Sequence, residues 1–185
     1  VIAGASGFIG QYLARAFIED GTTVSFIGRR GADASWGDPA AIASVLEGAD
    51  LLVNLAGKSV NCRYNAANRA EILRSRVDTT RELARAVLSC ATPPALWVNS
   101  STATIYRHAD DRPMTEAAGE LGEGFSVDVA TAWEREFLSG ELPKTRRAAL
   151  RMAIVLGDGS ALVPLIRLTR AGLGGAQLDG RWFST

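Results

Sequence analysis

The residues with the clearest chemical meaning are three glycines near the start of the chain. Gly4, Gly7 and Gly10 stand in the run Gly-Ala-Ser-Gly-Phe-Ile-Gly, after the apolar residues 1–3 and before an amphipathic stretch. Such glycines permit a tight turn, a close backbone approach to phosphate and close helix packing. N–H groups at the helix start then attract the anionic charge. The predicted dinucleotide contacts are Gly4, Ser6, Gly7, Phe8, Ile9 and Gly10. The alternative is a glycine-rich turn that binds nothing.

Two arginines mark the end of the next strand-like segment. In NAD-binding units, a carboxylate about 20 residues after the glycines accepts the ribose 2′-hydroxyl. Here Arg29 and Arg30 stand at this place, and the nearest acid is Asp33. Guanidinium groups pair with a 2′-phosphate through charge-assisted hydrogen bonds, so the sequence favours NADP(H) over NAD(H). The alternative is a pair of exposed loop arginines. Trp36 is predicted to border the adenine.

Strand-like and helix-like segments alternate along the chain. Strands are predicted over residues 1–3, 23–27, 34–36, 51–55, 95–101 and 148–156, and helices over 8–20, 39–48, 68–90 and 125–138. This alternation is typical of a parallel sheet with helices on both faces. We predict an α/β fold with a Rossmann-type, doubly wound parallel sheet over residues 1–157. Residues 158–185 are predicted to begin an incomplete substrate lobe, and the abrupt ends predict a piece of a longer chain.

Composition excludes several classes of function. The chain has 185 residues, 47% of them hydrophobic, which suffices for a buried core. Its 20 basic and 20 acidic residues cancel, so net charge favours neither nucleic acid nor a membrane surface. Cys62 and Cys90 lack metal-ligand spacing, and the single histidine, His108, excludes histidine-based metal sites and most triads. We expect a cytoplasmic protein with reduced thiols and a small-molecule substrate.

Further runs resemble one known superfamily. The sequence resembles the short-chain dehydrogenase/reductases in the glycine motif, in Asn54-Leu55-Ala56-Gly57 and in the run 100–106. The resemblance is strongest to their extended branch, the nucleoside-diphosphate-sugar epimerases and dehydratases. Runs 57–63, 72–77 and 132–134 are similar to an atypical epimerase-like subgroup. The resemblance implies that Thr102 hydrogen-bonds the reacting substrate oxygen. It implies further cofactor contacts from Leu55, Ala56, Gly57, Ser100, Ser101 and Met152. It also implies a homodimer as one arrangement, through helices 72–88 and 125–138.

The catalytic pair of that superfamily, Tyr-x-x-x-Lys, is absent from these 185 residues. The three tyrosines are followed four residues later by Ala16, Asn68 and Asp110. Ser126 and Ala130 occupy the positions where the pair is expected. The lysine ammonium normally lowers the pKa of the phenol and holds the nicotinamide ribose, so acid catalysis and one cofactor anchor are lost.

Other residues are candidates for the missing roles. Tyr106 is a candidate proton donor and Asp128 a weaker one, although both positions are more often structural or substrate-lining. Arg63 and Arg76 are candidates for holding an anionic substrate group such as a diphosphate, because guanidinium forks suit phosphate oxygens. The alternative places both arginines on a helix surface or cap. Two functions therefore stay open: an NADP(H)-dependent oxidoreductase with an unidentified carbonyl or nucleotide-sugar substrate, and a non-catalytic NADP(H)-binding sensor or regulatory module.

Overall fold

A six-stranded sheet forms the centre of the computed structural model, which describes residues 1–109, 111–157 and 162–175. Its strands are β1 (Ile2–Ala3), β2 (Phe26–Gly28), β3 (Ala34–Ser35), β4 (Leu51–Asn54), β5 (Leu96–Thr102) and β6 (Arg146–Met152). The spatial order is β3-β2-β1-β4-β5-β6, and every neighbouring pair is parallel. This order reverses between β1 and β4, which is where doubly wound sheets bind ligands. The predicted Rossmann-type fold is confirmed.

The helices are α1 (Phe8–Glu19), α2 (Pro39–Leu46), α3 (Ala66–Ser89), α4 (Phe125–Leu138) and α5 (Leu162–Arg170), with a 3₁₀ turn at Ala103–Ile105. Two of the helices, α2 and α3, begin at residues whose side chains cap them. The Asp38 carboxylate accepts from the Ala41 N–H at 3.0 Å, and the Asn65 side chain accepts from the Asn68 N–H at 2.9 Å. Both satisfy an N–H group that the helix itself leaves unpaired. Among the described residues, no helix is long and apolar enough to cross a bilayer.

Helices α3 and α4 are held to the sheet by a continuous apolar core. Trp97 on β5 and Phe137 on α4 are both buried and meet edge to face, with ring centroids 5.0 Å apart. Leu52 on β4 and Leu83 on α3 are also fully buried. Burial of each such side chain contributes about 1.5–3 kcal/mol. The core therefore fixes α3 and α4 where they border the carboxyl ends of β4 and β5.

Strand ends differ from the sequence predictions. Strand β6 pairs with β5 up to Thr102 opposite Met152, so residues beyond Met152 have no β5 partner. The apolar residues 154–156, predicted as strand, are exposed instead. Strand β2 begins at Phe26 rather than at residue 23. Of the predicted second lobe, α5 is described, and residues 158–161 and 176–185 lie outside the described residues.

Candidate functional site

The glycine turn between β1 and α1 is shaped by contacts that exclude side chains. Gly4 has φ +86°, and a Cβ there would lie 2.9 Å from the Ala56 nitrogen. A Cβ on Gly10 would lie 2.7 Å from the Gly4 carbonyl oxygen. Gly4 lets the β4 turn pass close by, and Gly10 lets α1 pack on the strand end.

Gly7 differs from the other two glycines, because the protein itself leaves room for a side chain there. It is the exposed N-cap residue of α1, with φ −76°, and among the described residues an added Cβ would meet only the Gly4 oxygen, at 3.5 Å. The missing side chain instead leaves the start of α1 open. An open helix N-terminus beside backbone N–H groups is the arrangement that accepts a phosphate. The turn therefore fits a dinucleotide pyrophosphate.

One cavity, of about 670 Å³, lies between the turn and the end of β2. Its lining includes the predicted residues Ser6, Arg29 and Arg30, and both arginines are exposed. The Asp33 carboxylate accepts the Phe26 N–H at 2.7 Å, so it is already engaged with the backbone. Trp36 is not among the lining residues; it packs half-buried against the core. The structure thus brings both arginines, without Trp36, to one cavity.

A second cavity, of about 710 Å³, lies between the turn, the ends of β4 and β5, and helices α3 and α4. The two cavities share Gly4 in their linings. Most of the residues predicted to contact cofactor or substrate line this second cavity. They are Gly4, Gly7, Phe8, Ile9, Gly10, Leu55, Ala56, Gly57, Arg76, Ser100, Ser101, Thr102 and Met152. Arg63 and Tyr106 are not among its lining residues, and Arg63 is exposed in the segment before α3.

Helix α4 presents the substituted catalytic positions to this second cavity. Ser126 and Ala130 both line it, with Val129 and Trp133. Helix α4 therefore brings neither a phenol nor an ammonium into the cavity. Lys58, from the turn after β4, lines it as well and is half-buried. The sequence reasoning missed Lys58 as a site residue, although its place directly after the Asn54–Gly57 turn was the available signal.

The Thr102 hydroxyl stands at the wall of the second cavity, at the end of β5. Its Oγ1 lies 2.9 Å from Oγ1 of Thr104 and accepts the Thr104 N–H at 3.2 Å. The neighbouring Ser101 is buried and donates its hydroxyl to Glu134 at 2.5 Å. Thr102 therefore offers an oriented hydroxyl at the cavity, whereas the Ser101 hydroxyl is held by the protein.

Tyr106 belongs to a network of charged groups beside the cavity. Its hydroxyl accepts from Arg151 Nη1 at 2.6 Å. Arg151 also donates from Nε and Nη2 to the two carboxylate oxygens of Glu134, at 2.9 and 2.7 Å. Hydrogen bonds from Arg151, and then Ser101, hold the pKa of Glu134 below its ordinary value. The structure thus pairs the Tyr106 hydroxyl with Arg151. The weaker candidate, Asp128, is exposed and is not among the cavity's lining residues.

A buried polar network fixes the turn after β4. The Asn54 amide donates to the Asn99 side-chain oxygen at 2.7 Å and to the Thr80 hydroxyl at 3.3 Å. Its own oxygen accepts the Ala56 N–H at 3.0 Å, and the Trp133 indole donates to Thr80 at 2.9 Å. One amide therefore joins β4, β5 and α3, and Thr80 carries the connection to α4. Sequence reasoning selected Asn54 only as part of a motif.

Known proteins resemble this chain along nearly its whole length. An epimerase family protein, SDR39U1 of Bos taurus, is 33% identical over 99% of this chain, which spans 63% of that protein's length. The crystal structure of human SDR39U1 (isoform 2) with NADPH matches 99% of this chain and 63% of its own, with a TM-score of 0.86 and 30% identity. MoeE5, in complex with UDP-glucose and NAD, matches 92% of this chain and 59% of its own, with a TM-score of 0.73 and 25% identity.

Residues 1–126 match the sequence pattern of one family, described as the NAD dependent epimerase/dehydratase family. The matched range runs from the glycine turn through β5 and Thr102 to the start of α4, so it contains most of the second cavity's wall. The predicted resemblance to the extended branch of the short-chain dehydrogenase/reductases is thereby confirmed. The chain belongs to the NAD dependent epimerase/dehydratase family.

Proposed function

We propose that the chain is an NADP(H)-binding, epimerase-like oxidoreductase that acts on a carbonyl or alcohol group of a small-molecule substrate. The observation that carries the choice of cofactor is the pair Arg29 and Arg30 at the first cavity, with Asp33 engaged on a backbone N–H. The structure of human SDR39U1, which contains NADPH, agrees with this choice. The structure of MoeE5, which has a similar fold, contains NAD instead. The two arginines favour the phosphorylated form.

Residues of the first cavity and of the glycine turn would bind the cofactor phosphates, and residues of the second cavity would orient the substrate. Arg29 and Arg30 would hold the 2′-phosphate, and the N–H groups at the start of α1 would hold the pyrophosphate. A bound nicotinamide supplies or takes up hydride. Thr102 would hydrogen-bond the reacting oxygen and orient it, and the apolar residues Ile72 and Val129 would limit water in the second cavity.

The cofactor proposal predicts a selective loss. Replacing Arg29 and Arg30 together by alanine should weaken NADPH binding at least about tenfold and leave NADH binding unchanged, because charge-assisted bonds to one phosphate are lost. Isothermal titration calorimetry of both cofactors measures this. The matched control is Arg85→Ala with Arg135→Ala, since both are exposed helix arginines away from either cavity. Tighter binding of NADH than NADPH by the unaltered protein would contradict the proposal.

The catalytic proposal predicts that Thr102→Ala lowers the rate of NADPH oxidation at least about tenfold, because an oriented hydrogen bond to the reacting oxygen is lost. A panel of carbonyl compounds and nucleotide sugars is used to find the reaction. Ser59→Ala is the control, because it removes another hydroxyl from the same cavity. Equal rates in the unaltered protein and Thr102→Ala would argue against the assigned role.

A non-catalytic sensor or regulatory module is the second candidate. It is favoured by Ser126 and Ala130 at the positions of the usual acid pair, and by the Tyr106 hydroxyl being held by Arg151. NADPH binding without turnover of any panel compound would support it, and turnover that depends on Thr102 would exclude it.

A cytoplasmic setting agrees with the free thiols Cys62 and Cys90. A homodimer through α3 and α4 stays a prediction, to be tested by sedimentation.

A further inference from the structure

Two arginines near α4 hold a carboxylate in the same way. Arg81 donates from Nε and Nη2 to the oxygens of Glu136, at 3.0 and 2.8 Å. Arg151 donates from the same two nitrogens to Glu134, at 2.9 and 2.7 Å. The Nε–Nη2 edge of a guanidinium presents two parallel N–H groups, which match two oxygens of a carboxylate or phosphate.

Arg76 lies in the second cavity with this edge unused. Its Nη1 donates to the backbone oxygens of Lys58 and Ile72, at 3.2 and 2.9 Å, and its guanidinium carbon lies 5.3 Å from the centroid of the Trp133 ring. Within the described ranges, neither Nε nor Nη2 of Arg76 has a hydrogen-bond acceptor, and no carboxylate pairs with it. The guanidinium is therefore fixed in place by neutral groups. Burial lowers the pKa of Arg76.

The walls of the second cavity add positive charge. Lys58 and Arg76 are among its lining residues, and no aspartate or glutamate of the described chain is. A Cβ on Gly57 would lie 3.1 Å from the guanidinium carbon of Arg76, so the glycine makes room for that side chain. Apolar neighbours such as Ile72 and Phe125 strengthen the field of the two cations by excluding water.

We infer that Arg76 binds an oxyanion of the substrate, a carboxylate or a phosphate, through its Nε–Nη2 edge, with Lys58 as a second cation of the same cavity. The inference rests on the proposed function, because it names the class of substrate whose reacting oxygen meets Thr102 in that cavity. It also revises the sequence prediction that paired Arg76 with Arg63. Lys58 takes that place, because Arg63 is not among the cavity's lining residues.

The test compares anionic and neutral ketones on NADPH-saturated protein by isothermal titration calorimetry. The probes are 2-oxobutyrate, dihydroxyacetone phosphate and neutral 2-butanone. At least one anionic probe should bind about tenfold or more tightly than 2-butanone, and Arg76→Gln should abolish that preference. The tighter of the two anionic probes identifies a carboxylate or a phosphate as the preferred group.

Matched variants separate the contribution of the Nε–Nη2 edge of Arg76 from that of its charge. Arg74→Gln, on the same helix and in an exposed pair with Glu71, should bind the probes like the unaltered protein. Arg76→Lys keeps the positive charge but lacks the two parallel N–H groups, so it should retain only part of the preference for anionic probes. It also serves as the test variant if Arg76→Gln fails to fold by circular dichroism.

Three results would overturn the inference. They are equal affinity for 2-butanone and the anionic probes, an unchanged preference in Arg76→Gln, and a loss of NADPH affinity in that variant equal to its loss of probe affinity. The last result would assign the free edge to a phosphate of the cofactor. An initial NADPH titration of the unaltered protein keeps the two proposals distinct. No NADPH binding refutes the proposed function, whereas binding without anion preference refutes only this inference.

Discussion

Replacing Glu134 by alanine should lower the free energy of unfolding by about 3 kcal/mol, because it leaves the Arg151 guanidinium without its carboxylate. The Glu134 side chain is 11% exposed and that of Arg151 is 23% exposed, so water compensates the lost ion pair poorly. The Ser101 hydroxyl loses its acceptor in the same variant. Denaturation by urea, followed by circular dichroism, measures the change.

Glu136→Ala is the matched control. It removes a bidentate arginine partner from the same helix, but the Arg81 side chain is 42% exposed. It should lower the free energy of unfolding by no more than about 1 kcal/mol, as for other solvent-exposed ion pairs. Equal losses in the two variants would show that burial does not govern the strength of the Glu134 pair.

The same carboxylate predicts a dependence on pH. Because its folded pKa lies below the ordinary 4.5, the Glu134 contribution is fully present above pH 4.5 and is lost as the pH falls through the folded value. The difference in unfolding free energy between the unaltered protein and Glu134→Gln should therefore narrow below pH 4.5. A difference that stays constant to lower pH would contradict an ionised Glu134.

Gly7→Ala should lower NADPH affinity about 100-fold and lower the free energy of unfolding by at most about 1 kcal/mol, the cost of alanine at an N-cap. The added Cβ meets no atom of the described part of the chain closer than 3.5 Å, so the fold accommodates it. It stands, however, at the open start of α1, where a pyrophosphate would accept several charge-assisted hydrogen bonds. Calorimetry of binding and urea denaturation measure the two quantities separately.

Gly10→Ala is the contrasting variant. Its Cβ would lie 2.7 Å from backbone atoms of Gly4 and Ala5, so the backbone must move, at a cost of about 2 kcal/mol in stability. The two alanines thus separate the glycine required by the fold from the glycine required by the ligand. Unchanged NADPH affinity in a folded Gly7→Ala protein would refute the predicted position of the pyrophosphate.

The fold could be predicted from the sequence because its signals are local. The glycine run, the apolar segment 51–55 and the cap at Asp38 each depend on neighbours within a few residues. Strand ends were less predictable, because a strand stops where its partner stops. Residues 154–156 are apolar enough for a strand, yet β5 ends at Thr102 and offers them no partner.

The candidate site was predictable in its backbone and only partly in its side chains. Gly4 to Gly10, Leu55 to Gly57 and Thr102 follow strand ends, so the topology alone brings them together. The partner of Arg151 could not be chosen from the sequence, because many carboxylates compete for each arginine until the packing of α4 on β6 selects Glu134. The same holds for Tyr106, which lies four residues after Thr102 yet meets Arg151.

The two cavities share Gly4 in their linings, so a dinucleotide bound along the glycine turn would extend into both. Each half of a dinucleotide would rest on its own set of side chains, with the pyrophosphate as a short tether between them. The second half would then bind at the high effective concentration that so short a tether imposes. An adenosine bisphosphate should therefore fill the cavity of Arg29 and Arg30 while leaving the cavity of Thr102 and Arg76 free for a second, separate ligand.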